Sequence, residues 1–173
     1  METGFLKSCD ILLYKGGSFT SKLIEWKTGS LYSHVAVVVS ADIFLGIESN
    51  TGSQAGVRAF DLRKLDAKEV DAFRLKEDFK IDAAKVISFL VGHLGDSYDF
   101  AGVTWLGVLK VFGFQAKANQ FQRDRDYFCS ELVYRAFQEG GLDIVPQIDE
   151  ADITSPGDIA ASPRLQKIGT LEP

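Results

Sequence analysis

Cysteine, methionine, tryptophan, histidine and proline are all scarce. The 173 residues include two cysteines, one methionine, two tryptophans, two histidines and four prolines. Two cysteines cannot staple a disulfide scaffold. Two histidines and two cysteines, scattered along the chain, show no ligand spacing; no metal and no cofactor are expected. Gly16-Gly17-Ser18 lacks the Lys-Ser/Thr ending of a phosphate loop, which argues against nucleotide binding. Positive charge is also short. Nineteen Lys and Arg against 24 Asp and Glu leave a net charge of −5, the wrong sign for a phosphate backbone, so no nucleic-acid partner is expected. Long apolar runs are missing, and nothing approaches the roughly 18 to 20 residues of a membrane-spanning helix. The first ten residues carry Glu2, Lys7 and Asp10, and the apolar run after them (Ile11, Leu12, Leu13, Tyr14) is too short for the core of a signal peptide. The expected compartment is the cytoplasm. Contact with a membrane surface stays open but is not expected, and oligomeric state is unspecified.

What is present is an ordinary globular composition, 46% apolar and 25% charged. The length suits one domain over residues 1–173. A chain of this size buries roughly two-thirds of its unfolded surface and folds without staples. Residues 9–14 read as a short buried strand and 18–26 as a helix capped by Ser18. His34 opens Val35-Ala36-Val37-Val38-Val39, the strongest strand signal in the chain, apolar enough for burial on both faces. Further strands are expected at 43–48, 57–60 and 69–75, the last alternating like a half-exposed strand. Short turns between them predict an antiparallel sheet. Asp82 can cap a helix to about His93, with Ala84, Ile87, Val91 and Leu94 as its buried stripe. Residues 100–114 are apolar with one charge, and 115–126 form a polar loop. Cys129 then opens a helix over 130–139, with Leu132, Val133, Ala136 and Phe137 inward and Gly140-Gly141 as its stop. Ser155-Pro156-Gly157-Asp158 and Ser162-Pro163 are turn signals.

Three positions carry candidate chemistry. Cys129 sits at the first turn of a helix, where unpaired N–H groups and the helix dipole favour an anion. The thiolate is the nucleophilic form of cysteine. A small buried residue is the competing reading, since free cysteine often serves as that. His34, at a strand edge, is placed to take a proton from a thiol on a helix packed against the sheet. Otherwise it is a hydrogen-bonded structural histidine. Of the two histidines it is the better base, because His93 lies near a helix C-terminus, where a cation is favourable anyway. Glu48 ends the next strand and could fix the tautomer of His34; its alternative is an ordinary solvated glutamate. Cys9 competes as nucleophile but has no helix behind it.

The segments Asp10-Ile11-Leu12-Leu13, Tyr32-Ser33-His34-Val35, Ile47-Glu48 and Tyr127-Phe128-Cys129-Ser130-Glu131-Leu132-Val133 follow in that order. Together they resemble the circularly permuted branch of the NlpC/P60 superfamily, the YiiX/YebB-like papain-fold group. The order histidine, acid, cysteine marks the permutation, because papain-like chains of ordinary order place cysteine first. The resemblance spans about residues 9–163. It implies a permuted papain-like α+β fold: an antiparallel sheet or partial barrel packed against helices, with the nucleophile at a helix N-terminus. It implies Cys129 as nucleophile, His34 as base and Glu48 as the residue orienting His34. The stretch Gly95-Asp96-Ser97-Tyr98-Asp99-Phe100-Ala101-Gly102 is similar to a segment that supplies a tyrosine near the oxyanion, which makes Tyr98 a candidate donor beside the Cys129 N–H. One departure is Cys9, where relatives often carry glycine.

The expected activity is thiol-dependent hydrolysis of an amide bond in a small peptide, such as one derived from cell wall. Arg123 and Arg125 are close enough in sequence to Cys129 to hold a substrate carboxylate, although a solvated loop paired with Asp124 and Asp126 is the plainer reading. A thiol acyltransferase or a lipid or ester hydrolase would use the same residues, with 100–114 as an apolar lid in place of a buried helix. A non-catalytic binding module is the third possibility, since fold alone does not decide function.

Overall fold

The computed structural model describes residues 4–15, 30–50, 55–65, 69–96, 129–148 and 154–171. The expected helix at 18–26, the apolar stretch 100–114, the loop 115–126 and Tyr98 lie outside them.

The described residues form an α+β structure. Six strands, β1 (Ile11–Lys15), β2 (Tyr32–Ser40), β3 (Leu45–Asn50), β4 (Gly56–Asp61), β5 (Glu69–Leu75) and β6 (Leu165–Leu171), pair in the order β4-β3-β2-β1-β5-β6. Every pairing is antiparallel, as the short connections predict. Three helices, α1 (Ala83–Gly92), α2 (Cys129–Glu139) and α3 (Pro156–Ala160), complete the described structure.

Successive residues of a strand point to opposite faces. On β1 and β2 that alternation feeds two cores. Ile11, Leu13, Val35 and Val37 join the core that receives α2, while Leu12, Tyr14, Ala36 and Val38 join a second core with Leu62, Leu65 and Val70. This is why the run Val35-Ala36-Val37-Val38-Val39 has no polar partner positions: both faces are covered.

Helix α2 buries Leu132, Val133, Ala136 and Phe137 as its spacing predicts. It packs on β2, β3 and α1. The α1–α2 contact is close because Gly140 stands where a Cβ would meet Val86 Cγ2 at 2.5 Å. The Asp82 N–H also donates to Gly140 O at 2.9 Å, and Gly141 turns the chain at φ +87°. Asp82 caps α1, accepting from the Lys85 N–H.

Several expectations need correction. The fully buried residues of α1 are Val86 and Leu90; of the expected stripe Ala84, Ile87, Val91 and Leu94 only Ile87 packs against the core, and Val91 and Leu94 are 48% and 43% exposed. Apolar residues surround this helix almost completely, so periodicity does not fix its rotation and docking against Gly140 does. The second strand begins two residues before His34, and the third begins at Leu45 because Phe44 takes a left-handed φ of 56° in the preceding turn. Cys9 stands outside β1 with φ 67°. Ser155-Pro156-Gly157-Asp158 opens α3 through a capping box rather than a free turn. Strand β5 is not half-exposed: Val70, Asp71, Ala72 and Phe73 are all buried.

Asp71 tolerates burial because four donors surround it. Tyr32 OH and Thr170 Oγ1 donate at 2.6 and 2.8 Å, and Lys15 and Lys167 Nζ lie at 2.8 and 2.6 Å. Burial pushes its carboxyl up, but these partners outweigh burial and hold it well below the usual range.

Phe137, on α2, is the largest fully buried side chain among the described residues and belongs to the core that joins α2 to the sheet and α1. Phe137→Ala should destabilise the protein by about 3–5 kcal/mol, read as a lower urea midpoint with the slope unchanged.

Candidate active site

The site is written into the sheet register. Ala36 faces Glu48 across the β2–β3 ladder. His34 lies two residues before Ala36, so it leaves the same face and is the diagonal neighbour of Glu48. Its Nε2 is 2.8 Å from Glu48 Oε2. Arg58 is directly opposite Glu48 on β4. Its Nε and Nη2 donate to Glu48 Oε1 at 3.0 and 2.8 Å. Asn50, two residues beyond Glu48 and hence on its face, donates Nδ2 to the same oxygen at 3.0 Å. Tyr14 is the cross-strand partner of His34, and its ring meets the imidazole edge-on at 5.0 Å. The β1–β2 register shifts beside this pair, where Lys15 meets Tyr32 rather than Ser33. Such irregularities re-aim side chains next to functional sites.

Cys129 is the first residue of α2 and is 4% exposed. The helix start is tied down by Ser130, whose buried hydroxyl donates to Thr154 O. Helix α2 packs on β2 and β3, and Cys129 at its start acts electrostatically on His34. Of the three candidate residues, His34 and Glu48 are in direct contact. Tyr98, Arg123 and Arg125 fall outside the described residues.

Burial works against a charged imidazole, but the charge and hydrogen bond of Cys129, and then of Glu48, more than offset it and hold His34 well above its ordinary range. Burial likewise pushes Glu48 up, while His34 and then Arg58 pull it down to about 2. The side chain of His34 keeps 18% of its surface exposed, so solvent reaches the ring. Cys9 is different in kind. Burial, and secondarily Asp10, push its thiol up to about 11, which leaves it a poor nucleophile.

Arg58 and Asn50 were not anticipated. The signal was present, since a cation and an amide occupy alternate positions in strands beside an acid, but only the β3–β4 register shows that they meet it.

No protein-family model matches the sequence, and no curated protein does either. Among solved structures, the crystal structure of metalloprotein YiiX from Escherichia coli O157:H7 matches with a TM-score of 0.71 at 18% identity, over 96% of this chain and 98% of that one. The chain has the YiiX fold. The resemblance drawn from the His, Glu and Cys segments is therefore borne out for the architecture. YiiX is described as a metalloprotein. Among the described residues of this chain, no three His, Cys, Asp or Glu side chains converge as metal ligands. Among the described residues, both oxygens of Glu48 and one nitrogen of His34 are already engaged, leaving one sulfur and one imidazole nitrogen, a donor set that does not fit a metal. Among the described residues of this YiiX-like chain, no helix is long and apolar enough to cross a membrane.

The linked pH dependence has a definite sign. Glu48 is depressed from 4.5 to about 2, so its network stabilises fully above about pH 4.5 and is lost as pH falls through 2. His34 is raised above its ordinary 6.5, so its share is present below that value and drains as pH rises through the higher, folded value. Glu48→Gln should therefore lower stability most at pH 5–6 and flatten the acid limb between 4.5 and 2. Urea midpoints measured across that window check both.

Proposed function

We propose that the protein is a cysteine hydrolase that cleaves an amide bond in a small peptide, such as one derived from cell wall, in the cytoplasm. The observation that supports this is the imidazole of His34 bonded to the buried Glu48, with Cys129 at a helix start acting electrostatically on the same ring. That is the relation of nucleophile, base and orienting group on which acyl transfer depends.

In this reading the Cys129 sulfur attacks the amide carbonyl carbon. The carbonyl oxygen becomes an oxyanion, and the Cys129 backbone N–H, unpaired within the helix, donates to it, with Tyr98 proposed as the second donor. As the C–N bond breaks, His34 gives its proton to the leaving amine. Water then attacks the thioester carbon while His34 takes a proton from it. Collapse expels the Cys129 thiolate and releases the acid. Glu48 stays ionised throughout and stabilises the imidazolium. The partner is the peptide substrate.

The test is iodoacetamide labelling against pH with intact-mass readout. Wild type should take one fast label at pH 6. Cys129→Ala should lose it, and His34→Ala should slow it at least about tenfold. Amide-bond turnover on a peptide panel should vanish in both variants. Labelling of Cys129 no faster than a free thiol would overturn the reading. Turnover of esters or acyl lipids but not peptides would replace the peptidase with the acyl-chain alternative.

A further inference from the structure

We propose that Arg58 is a positioning residue of this site, acting on His34 only through Glu48: its two-donor fork fixes the carboxylate so that Oε2 is held toward the imidazole. The inference rests on reading Cys129, His34 and Glu48 as the reacting set.

Geometry carries it. Arg58 stands opposite Glu48 in the β3–β4 ladder, so backbone pairing fixes where the guanidinium starts. Nε and Nη2 both close on Oε1, at 3.0 and 2.8 Å, which leaves Oε2 for His34 at 2.8 Å. The two oxygens are thus divided between the imidazole and the guanidinium. A single point charge could attract either oxygen; two donors of one planar group converging on Oε1 single that oxygen out and leave Oε2 to His34. Asn50 adds a neutral donor on the Oε1 side and so reinforces the same division.

Among the described residues, the groups that face His34 come from three elements. Cys129 approaches from α2, Glu48 from β3 and Tyr14 from β1. Arg58, from β4, touches the ring only through the carboxylate. Its charge also opposes that of Glu48, so it moderates how firmly the imidazole retains the proton that it must later deliver to the leaving group. A guanidinium that only held β4 to β3 would do neither.

The experiment compares the pH profile of Cys129 alkylation in wild type, Arg58→Met, Arg58→Lys, Glu48→Gln and the double variant Glu48→Gln/Arg58→Met, with intact-mass readout. Arg58→Met should slow labelling at pH 6 by about tenfold and displace the midpoint of the profile. Arg58→Lys, which restores charge without the fork, should recover only part of the rate. In the Glu48→Gln background, Arg58→Met should change the rate less than about twofold, because its route to His34 is already cut. A profile for Arg58→Met that overlays wild type overturns the proposal, as does an equal slowing in both backgrounds. If Arg58→Met does not fold, Arg58→Lys decides: a wild-type profile there overturns the fork. Absence of any fast label in the wild type itself overturns the parent reading, and is told apart because the Arg58 comparison then has no fast phase to lose.

Discussion

Glu48 is a negative charge taken almost wholly out of water, and the site is organised around that cost. An unpaired buried carboxylate would neutralise itself or unfold its surroundings. Here Oε2 meets the His34 imidazole and Oε1 meets a guanidinium and an amide. None of these partners is adjacent in sequence by accident of a loop. Each is delivered by the alternation and pairing of three consecutive strands, so the sheet register and the charge balance enforce one another. A one-residue slip of β2 against β3 would send His34 to the other face and leave Glu48 buried without it.

The same device recurs on the other half of the sheet. Asp71 is shared among Lys15, Lys167, Tyr32 and Thr170, joining β1, β2, β5 and β6. Asp10 is held by Arg74 through two bonds of 2.7 Å, which ties the chain before β1 to β5. Apolar packing supplies most of the driving force for this fold. These buried carboxylates add discrimination, because a wrong strand order would strand a charge. The core under α2 tolerates many apolar sequences; the polar hubs tolerate few.

Much of this was legible in the residues. Long β-branched runs, a capped helix and a glycine stop are local signals, and they place β2, α1 and α2 within a residue or two. The contact of His34 with Glu48 was legible because both lie on strands that the sequence marks and that short turns make neighbours. What escaped depends on partners distant along the chain. The rotation of α1 follows from Gly140. The burial of Asp71 follows from two lysines on other strands. Arg58 and Asn50 become meaningful only once β3 and β4 are in register. Strand β6, with Gly169 and two exposed polar residues, has no strong pattern of its own and forms because β5 offers it an edge.

The order in which the trio occurs along the chain has a consequence for synthesis. His34, Glu48 and Arg58 lie on three successive hairpin-linked strands, whose contacts close short loops at small entropic cost. Cys129 arrives much later, on a helix that docks onto those strands. A chain leaving the ribosome therefore exposes its base-bearing meander first, and domains build from the N-terminal side during translation. The Cys129 sulfur emerges only after the strands on which its helix packs. Its interval as an uncovered thiol is correspondingly brief.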